Sequence, residues 1–168
     1  MAEWNAPVSA LLLFEIAGEN CAIPAGRVAE IVPIPALARF PGSPSVLEGV
    51  LNLRGTAVPV IRLDRLFGRQ PSHPGLYAHV VVLRDTNPRS ALLVDRVLDV
   101  VAPLPDAYRP VAEQNSFNDC AVAEVEVAGR AVHVLSPDRL LLNKERQVIV
   151  EFEALGRQYL ADLERGDG

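Results

Sequence analysis

The stretch that decides the fold is Gly55-Thr-Ala-Val-Pro-Val-Ile-Arg-Leu-Asp-Arg-Leu-Phe67, because the chain contains it twice. It aligns at an offset of 74 with Gly129-Arg-Ala-Val-His-Val-Leu-Ser-Pro-Asp-Arg-Leu-Leu141, and seven of the thirteen residues are identical. A second pair, Arg27-Val-Ala-Glu-Ile-Val32 and Arg96-Val-Leu-Asp-Val-Val101, is offset by 69 and keeps the same order along the chain. Self-similarity of this kind indicates repeated supersecondary units. The sequence therefore predicts two related subdomains.

Each repeated stretch has the pattern of an apolar strand followed by a helix of one turn. In the second copy, Ser136 is a suitable N-cap and Pro137 fits the first helical position, while Asp138 suits the positive end of the helix dipole. In the first copy, Gly68 follows the sequence Leu63-Asp-Arg-Leu-Phe67 and is a suitable stop. We therefore expect one short helix at the end of each copy.

The rest of the chain favours a mainly β fold with many short strands. Its 168 residues include 14 Pro and 11 Gly, which punctuate the chain at short intervals. We predict turns at Gly18-Glu-Asn20, Asp85-Thr-Asn-Pro88 and Gly129-Arg130. Closed small barrels leave few exposed strand edges, so they are the expected architecture. Further strands are predicted over residues 8–16, 20–24, 46–53, 77–84, 90–101 and 120–127.

The period of the hydrophobic pattern changes near the C-terminus. Val148, Phe152, Leu155, Tyr159 and Leu163 recur every three or four residues, which predicts an amphipathic helix over residues 144–165. The chain is thus divided into a barrel region, 8–142, and a C-terminal helix, 143–166. Two interpretations of that helix stay open: it covers the barrel core, or it is offered to a partner.

Composition and charge exclude several classes of function. The net charge is −5 and there is no run rich in Lys or Arg, so nucleic acid is not an expected partner. The longest apolar stretches fall short of the roughly 20 residues that a membrane helix needs. The first residues lack the pattern of a secretory signal. We expect a cytoplasmic protein with no direct membrane insertion.

The residue types that carry catalysis do not form a recognisable site in the sequence. There is no glycine-rich phosphate loop, no paired-histidine zinc motif and no Cys-x-x-Cys, so no enzyme, metal or cofactor is expected. His73, His79 and His133 are scattered, and Cys21 and Cys120 are interpreted as buried free thiols. A small-molecule sensor or enzyme that uses Cys21 or His133 is the least favoured alternative.

Four polar residues stand out against this background: Glu30, Asn52, Arg54 and Asp99. Arg54 lies between an apolar strand and Gly55, so its guanidinium is expected at a strand end. There its five donors suit a carboxylate of a partner. An ordinary surface ion pair is the equally weighted alternative.

The string Gly49-Val-Leu-Asn-Leu-Arg-Gly55, followed by Val58-Pro-Val-Ile61, resembles the signature of the CheW family. Cys21-Ala-Ile-Pro24, Val28-Ala-Glu-Ile31 and Val94-Asp-Arg-Val-Leu-Asp-Val100 are also similar to family segments, and the resemblance spans about residues 10 to 142. It implies two intertwined five-stranded SH3-like β-barrels without catalytic activity. The chain departs from the family at Arg62, where an acid is usual.

The resemblance also implies a function and its residues. Members of this family bridge the cytoplasmic tips of methyl-accepting chemoreceptors to a CheA-type histidine kinase, whose regulatory domain has the same fold. Recruitment to membrane-bound receptor arrays, with self-association there, is expected. A coupling protein for a chemotaxis-like system that controls surface motility or gene expression is the alternative. The implied kinase-binding residues are Val28, Glu30, Asn52, Arg54 and Gly55, and the implied receptor-binding residues are Val80, Ala91 and Asp99.

Overall fold

The computed structural model describes residues 10–33, 37–39, 41–70, 75–111 and 117–166. These residues form eleven strands and two α-helices, with single 3-10 turns at Ala25–Arg27 and Pro105–Ala107. The elements in chain order are β1 (Leu11–Ile16), β2 (Glu19–Pro24), β3 (Val28–Pro33), β4 (Leu47–Leu53), β5 (Thr56–Arg62), α1 (Leu63–Leu66), β6 (His79–Leu83), β7 (Ala91–Val94), β8 (Arg96–Val101), β9 (Tyr108–Arg109), β10 (Ala121–Val127), β11 (Arg130–Leu135) and α2 (Pro137–Glu164).

The strands form two sheets that divide the chain in an interleaved way. The middle sheet has the order β3-β6-β7-β5-β4 and takes its strands from the centre of the sequence. The terminal sheet has the order β8-β1-β2-β11-β10-β9 and joins the first two strands to the last four. The prediction of a mainly β, two-lobed chain is confirmed. The terminal sheet has a sixth strand, because two residues at Tyr108–Arg109 pair with β10.

The two sheets are equivalent strand by strand, which confirms the internal duplication. In the middle sheet β5 pairs in parallel with β7, and in the terminal sheet β11 pairs in parallel with β2. Beyond β4, Ala38 exchanges two backbone hydrogen bonds with Val50, at 3.0 and 2.9 Å. This bridge lies where β9 lies in the terminal sheet. Ala38 comes five residues after the end of β3, so the chain beyond one edge strand of the middle sheet is hydrogen-bonded to the other edge strand, β4.

Two details of the predicted strands are wrong. The segment 90–101 is two strands: Ala91–Val94 belongs to the middle sheet and Arg96–Val101 to the terminal sheet. The chain therefore crosses between the sheets at Asp95, and a continuous apolar pattern cannot reveal such a crossing. The hairpin turns lie one residue earlier than predicted, at Ala17-Gly18 and Ala128-Gly129. Both residues of each turn have positive φ, as a type I′ hairpin requires.

The largest hydrophobic core contains residues of both sheets and of the helices, among them Phe14, Ile61, Phe117 and Leu140. Phe117 packs edge-on against Phe67, with ring centroids 5.0 Å apart. Cys21 and Cys120 are free thiols buried in this core, as predicted. The core therefore holds the two sheets together, and each sheet adds a smaller cluster of its own.

The C-terminal helix is longer than the sequence patterns indicated. The expected one-turn helix after Ser136 and the expected helix over 144–165 are one continuous element, α2. Its N-cap is as predicted, because the backbone N–H of Arg139 donates to Ser136 Oγ at 3.3 Å. α1 stops as predicted at Gly68, whose φ is 69°. The second copy has Leu142 at that position, so nothing ends the helix there.

The distal part of α2 does not cover the core. Pro137 and Leu140 are buried, but every residue from Phe152 to Gly166 is exposed. Of the two interpretations left open by the sequence, the core-covering one is therefore wrong for this half of the helix. Within the described residues, no helix is both long and apolar enough to cross a membrane.

Candidate functional site

The hairpin between β4 and β5 displays Arg54 on a rigid turn. Arg54 and Gly55 have φ values of 48° and 87°, the pair of positive angles of a type I′ turn. Asn52 Oδ1 accepts a hydrogen bond from the backbone N–H of Gly55 at 2.9 Å, which fixes the turn from within. The Arg54 side chain is 72% exposed. Three residues selected from the sequence thus form one turn with an exposed guanidinium.

Glu30 completes this group from the other edge of the middle sheet. Arg54 Nη2 donates to Glu30 Oε1 at 2.6 Å, joining the β4–β5 turn to β3. The hydrogen bond from Arg54 lowers the pKa of the Glu30 carboxyl below its ordinary value, and the charge of Arg89 adds to this effect. The same bond raises the pKa of Arg54. The pair is therefore fully charged at neutral pH and lies where the sheet closes.

Val28 lies on β3, the strand that carries Glu30. It is half-buried and packs against the large core, two residues before Glu30. The register of β3 against β6 shifts between Val28 and Glu30, which marks a bulge in the strand. The structure therefore brings together all five residues of the predicted kinase-binding set on adjoining parts of the middle sheet. Their role in kinase binding stays a prediction.

The structure does not bring the three predicted receptor-binding residues together. Val80 on β6 and Ala91 on β7 are both 0% exposed and belong to the hydrophobic cluster of the middle sheet. Asp99 is exposed on β8, the edge of the terminal sheet, and its Oδ1 accepts from the N–H of Val100 at 2.7 Å. Neither Val80 nor Ala91 has a side chain at the surface. A receptor role of these residues stays a prediction.

Sequence reasoning missed a buried cluster of charges at the end of β5. Arg62 lies between Asp64 and Glu48: Nη2 is 2.6 Å from Asp64 Oδ2, and Nη1 is 3.2 Å from Glu48 Oε1. All three residues are under 9% exposed, and Arg39 also contacts Glu48. The hydrogen bond to Asp64 raises the pKa of Arg62. The signal in the sequence was Arg62 itself, which stands where the resembling family has an acid.

Among the described residues, the thiols and imidazoles do not form a reactive site. Burial raises the pKa of Cys21 to about 12, with a further contribution from the charge of Glu19. His133 is the register partner of Cys21 on the adjacent strand, but its ring packs against Phe117 with centroids 4.7 Å apart. Burial also raises the pKa of Cys120 to about 12. Both thiols are therefore protonated at neutral pH, and the thiolate needed for nucleophilic chemistry is scarce.

His79 is engaged by a backbone contact. His79 Nδ1 lies 2.8 Å from the carbonyl oxygen of Tyr77, which occupies one ring nitrogen at the start of β6. His73 lies outside the described residues. Over the part of the chain that the structure describes, no group of three or more His, Cys, Asp or Glu side chains is arranged to hold a metal ion.

The sequence is similar to known proteins over most of its length. A family model described as a CheW-like domain matches residues 10–145. A chemotaxis protein CheW of Helicobacter pylori is 30% identical over 117 residues, which cover 70% of this chain and 71% of that protein. A chemotaxis protein CheW of Thermotoga maritima is 25% identical over 131 residues, which cover 78% of this chain and 86% of that protein.

A solved structure is similar in fold. It is the crystal structure of the scaffolding protein TtCheW from Thermoanaerobacter tengcongensis, with a TM-score of 0.72 and 20% sequence identity. The match covers 77% of this chain and 90% of that one. The barrel region is therefore shared with a known architecture.

Proposed function

The chain belongs to the CheW-like domain family, and from this membership we propose that it is a non-catalytic adaptor in bacterial chemotaxis. Its role is to couple the cytoplasmic tips of methyl-accepting receptors to the regulatory domain of a CheA-type histidine kinase. The relatives named as chemotaxis proteins support the pathway. The adaptor acts at membrane-bound receptor arrays, where it is held by its partners and needs no membrane segment of its own.

The observation that carries the proposal is the exposed Arg54–Glu30 pair. It is held by a type I′ turn inside the stretch that resembles the family signature, so its position is fixed before any partner arrives. A preordered Arg guanidinium keeps unused donors for a partner carboxylate while one N–H bonds Glu30. We assign the kinase-binding surface to Val28, Glu30, Asn52, Arg54 and Gly55.

For the receptor-binding side we assign an indirect role to two of the three residues. Val80 and Ala91 are buried, so they act by setting the packing of β6 against β7 beneath the surface. Asp99 is exposed on an edge strand and is available for direct contact. Substitutions of Val80 or Ala91 are then expected to alter receptor binding together with stability, whereas Asp99→Asn alters binding alone.

The test is titration calorimetry with the purified kinase regulatory domain and, separately, with a receptor-tip fragment. Arg54→Glu should leave the fold intact and weaken kinase binding at least about tenfold, since a guanidinium aimed at a carboxylate becomes a like charge. Arg130→Glu is the matched control, because Arg130 is an exposed arginine beside the equivalent hairpin of the second repeat. Absence of binding by the unmodified chain to both partners would overturn the proposal.

A charge-swapped double variant separates partner contact from internal stability. Glu30→Arg combined with Arg54→Glu restores an ion pair within the chain and reverses what the surface offers to the kinase. If Arg54 contacts the kinase, the double variant stays as weak as Arg54→Glu alone. Full recovery of binding would mean that the pair serves only to close the middle sheet, which corresponds to the ordinary ion pair considered from the sequence.

A further inference from the structure

The distal half of α2 carries an apolar stripe that has no cover within the described chain. The stripe is defined here as six side chains that are all more than half exposed: Ile149, Phe152, Leu155, Tyr159, Leu160 and Leu163. Single exposed apolar residues are ordinary on a protein surface, but a contiguous set of this size marks an interaction surface. It extends over about 20 Å of helix at 1.5 Å per residue.

The barrels hold α2 by a different face. Gln147 Nε2 donates to the carbonyl oxygen of Leu66 at 2.7 Å, and Glu151 accepts from the N–H and hydroxyl of Ser45. Leu140, one turn after the start of the helix, is buried on the same side. At about 100° per residue, the centre of the stripe lies about 130° round the helix from the midpoint of these three residues. Leu141 and Val148, which are partly buried against the core, lie nearer the stripe but precede it in the chain. The packing of α2 therefore leaves the stripe itself exposed.

The charges along one border of the stripe identify its occupant. At 100° per residue these charges share one edge of the helix, in the order Arg146, Glu153, Arg157 and Glu164. Along the chain these charges alternate between positive and negative, beginning with Arg146. In an antiparallel partner helix the same edge therefore presents a negative charge opposite each positive one. An antiparallel copy of the helix, centred near residue 155, places Glu153 opposite Arg157 and Arg146 opposite Glu164. Within the described residues, none of the four forms an internal ion pair.

The short length of the exposed helical segment also favours a partner helix. A helix of about 13 residues projecting into water is marginal by itself, because helices shorter than about 12 to 15 residues gain too little to offset nucleation. Gly156 lies within the stripe region, and a Cβ built on it meets no atom within 4 Å. A glycine there lowers helix propensity but allows a second helix to approach closely.

We propose that α2 is a self-association element that pairs with α2 of a second copy of this chain as an antiparallel two-helix contact. A two-fold axis near Leu155 buries both stripes and forms two Arg146–Glu164 and two Glu153–Arg157 pairs. The contact is small, so it is weak in solution and strengthens when many copies are held side by side. This surface is separate from the Arg54 hairpin and goes beyond the proposed adaptor function.

The first test is sedimentation velocity of the full chain over a range of micromolar concentrations. A reversible monomer–dimer equilibrium is expected. Phe152→Glu should weaken dimerisation about 100-fold or more, because a carboxylate enters each buried stripe. Ala161→Glu introduces the same charge on the opposite, exposed face and should leave the equilibrium unchanged. A chain that stays monomeric, or a dimer that resists Phe152→Glu, would overturn the proposal.

The second test uses the charges. Arg157→Glu and Glu153→Arg each place like charges across the two-fold axis, so each variant alone should dimerise several-fold more weakly than the unmodified chain. An equimolar mixture of the two variants should form heterodimers, because every cross-chain pair is then complementary. If the mixture associates no better than its components, these residues do not face one another.

The third test reports orientation. Leu155→Cys lies near the proposed axis and should form a disulfide-linked dimer on mild oxidation. Leu163→Cys should not, since in an antiparallel pair the two residues 163 are roughly 24 Å apart along the axis. The native thiols do not interfere because both are buried. Efficient cross-linking through residue 163 would exclude the antiparallel pair, and unchanged kinase binding by these variants would separate this outcome from the proposed function.

Discussion

The two repeats share a backbone plan, and some of the positions at which they differ have a structural effect. At an offset of 74, Gly49 corresponds to Ala123, Arg62 to Ser136 and Gly68 to Leu142. The register shift in β4 recurs in β10 at the matching residues. Arg62 forms a buried ion cluster, whereas Ser136 caps a helix. Gly68 ends α1 after one turn, whereas Leu142 lets α2 continue to Glu164.

The residues of the candidate site also differ between the two repeats. Glu30 corresponds to Asp99 and Arg54 to Ala128, and the hairpin keeps its geometry because Ala128 also has a positive φ, 52°. The second repeat therefore has the carboxylate and the turn but no guanidinium to pair with it. Duplication supplied two similar hairpins, and the one in the middle sheet displays the exposed Arg54–Glu30 ion pair.

The largest expected effect comes from breaking the buried cluster at Arg62. Arg62→Met leaves Glu48 and Asp64 as buried carboxylates without this partner, which should lower the free energy of unfolding by about 3 to 5 kcal/mol. The equivalent Ser136→Ala removes only an N-cap and should cost about 1 kcal/mol. Urea unfolding at pH 7 followed by circular dichroism measures both values. Equal losses for the two variants would contradict the importance of the cluster.

Exchanging the residue types at Gly49 and Ala123 tests how the middle sheet closes. A Cβ on Gly49 would lie 2.8 Å from the carbonyl oxygen of Ala38, so Gly49→Ala pushes directly on the bridge to β4. We expect a loss of about 1 to 3 kcal/mol of unfolding free energy. The reverse change, Ala123→Gly, should cost about 0.5 to 1 kcal/mol through backbone entropy alone. Both are measured by urea unfolding, and a neutral Gly49→Ala would show that the bridge yields easily.

Replacing Gly68, the residue that ends α1, should have a smaller effect on the free energy of unfolding. Gly68→Ala places a side chain at φ 69° with no atom within 4 Å of the new Cβ, so only backbone strain acts. The expected loss is about 1 kcal/mol of unfolding free energy. Gly26→Ala is the control, because Gly26 has equally open surroundings and no positive φ. It should be neutral or slightly stabilising in the same assay, and equal losses for both would remove strain as the cause.

The smallest expected effect is on the pH dependence of stability, through the pKa of Glu30. Because the pKa of Glu30 is lowered in the folded chain, its contribution to stability is present above its ordinary pKa of 4.5 and is lost as the pH falls through the lowered value. Arg54→Gln removes the largest cause, so the pKa of Glu30 should rise toward 4.5 while Arg89 still depresses it. NMR titration of the Glu30 carboxyl measures the shift. An unchanged pKa would show that Arg54 does not hold this carboxylate in solution.

Much of the fold was predictable because local patterns carry it. Most strand segments, the Ser136 cap and the Gly68 stop each depend on a few neighbouring residues, and these were confirmed. The crossing at Asp95 was not predictable, because an apolar run looks the same whether it stays in one sheet or passes to another. The short strand β9 was missed since two residues carry no period.

The candidate site was predictable in part for a similar reason. Asn52, Arg54 and Gly55 are close in sequence, and their turn follows from local chemistry. Glu30 contacts Arg54 only because the fold brings β3 next to the β4–β5 turn. The burial of Val80 and Ala91, and the contact of Arg62 with Glu48, depend on residues distant in the chain. The sequence indicated that Arg62 was unusual but not that Glu48 and Asp64 surround it.

By itself, the sequence determined that this chain is two copies of one β unit with tight glycine hairpins and a helical tail. Hydrophobic period and turn chemistry act over a few residues, so they can be read from the letters. The tertiary structure decided how the copies interleave, with the first two strands completing the sheet of the last four. It also decided that α2 turns its apolar stripe outward, because a periodic pattern shows that a face is apolar but not what covers it.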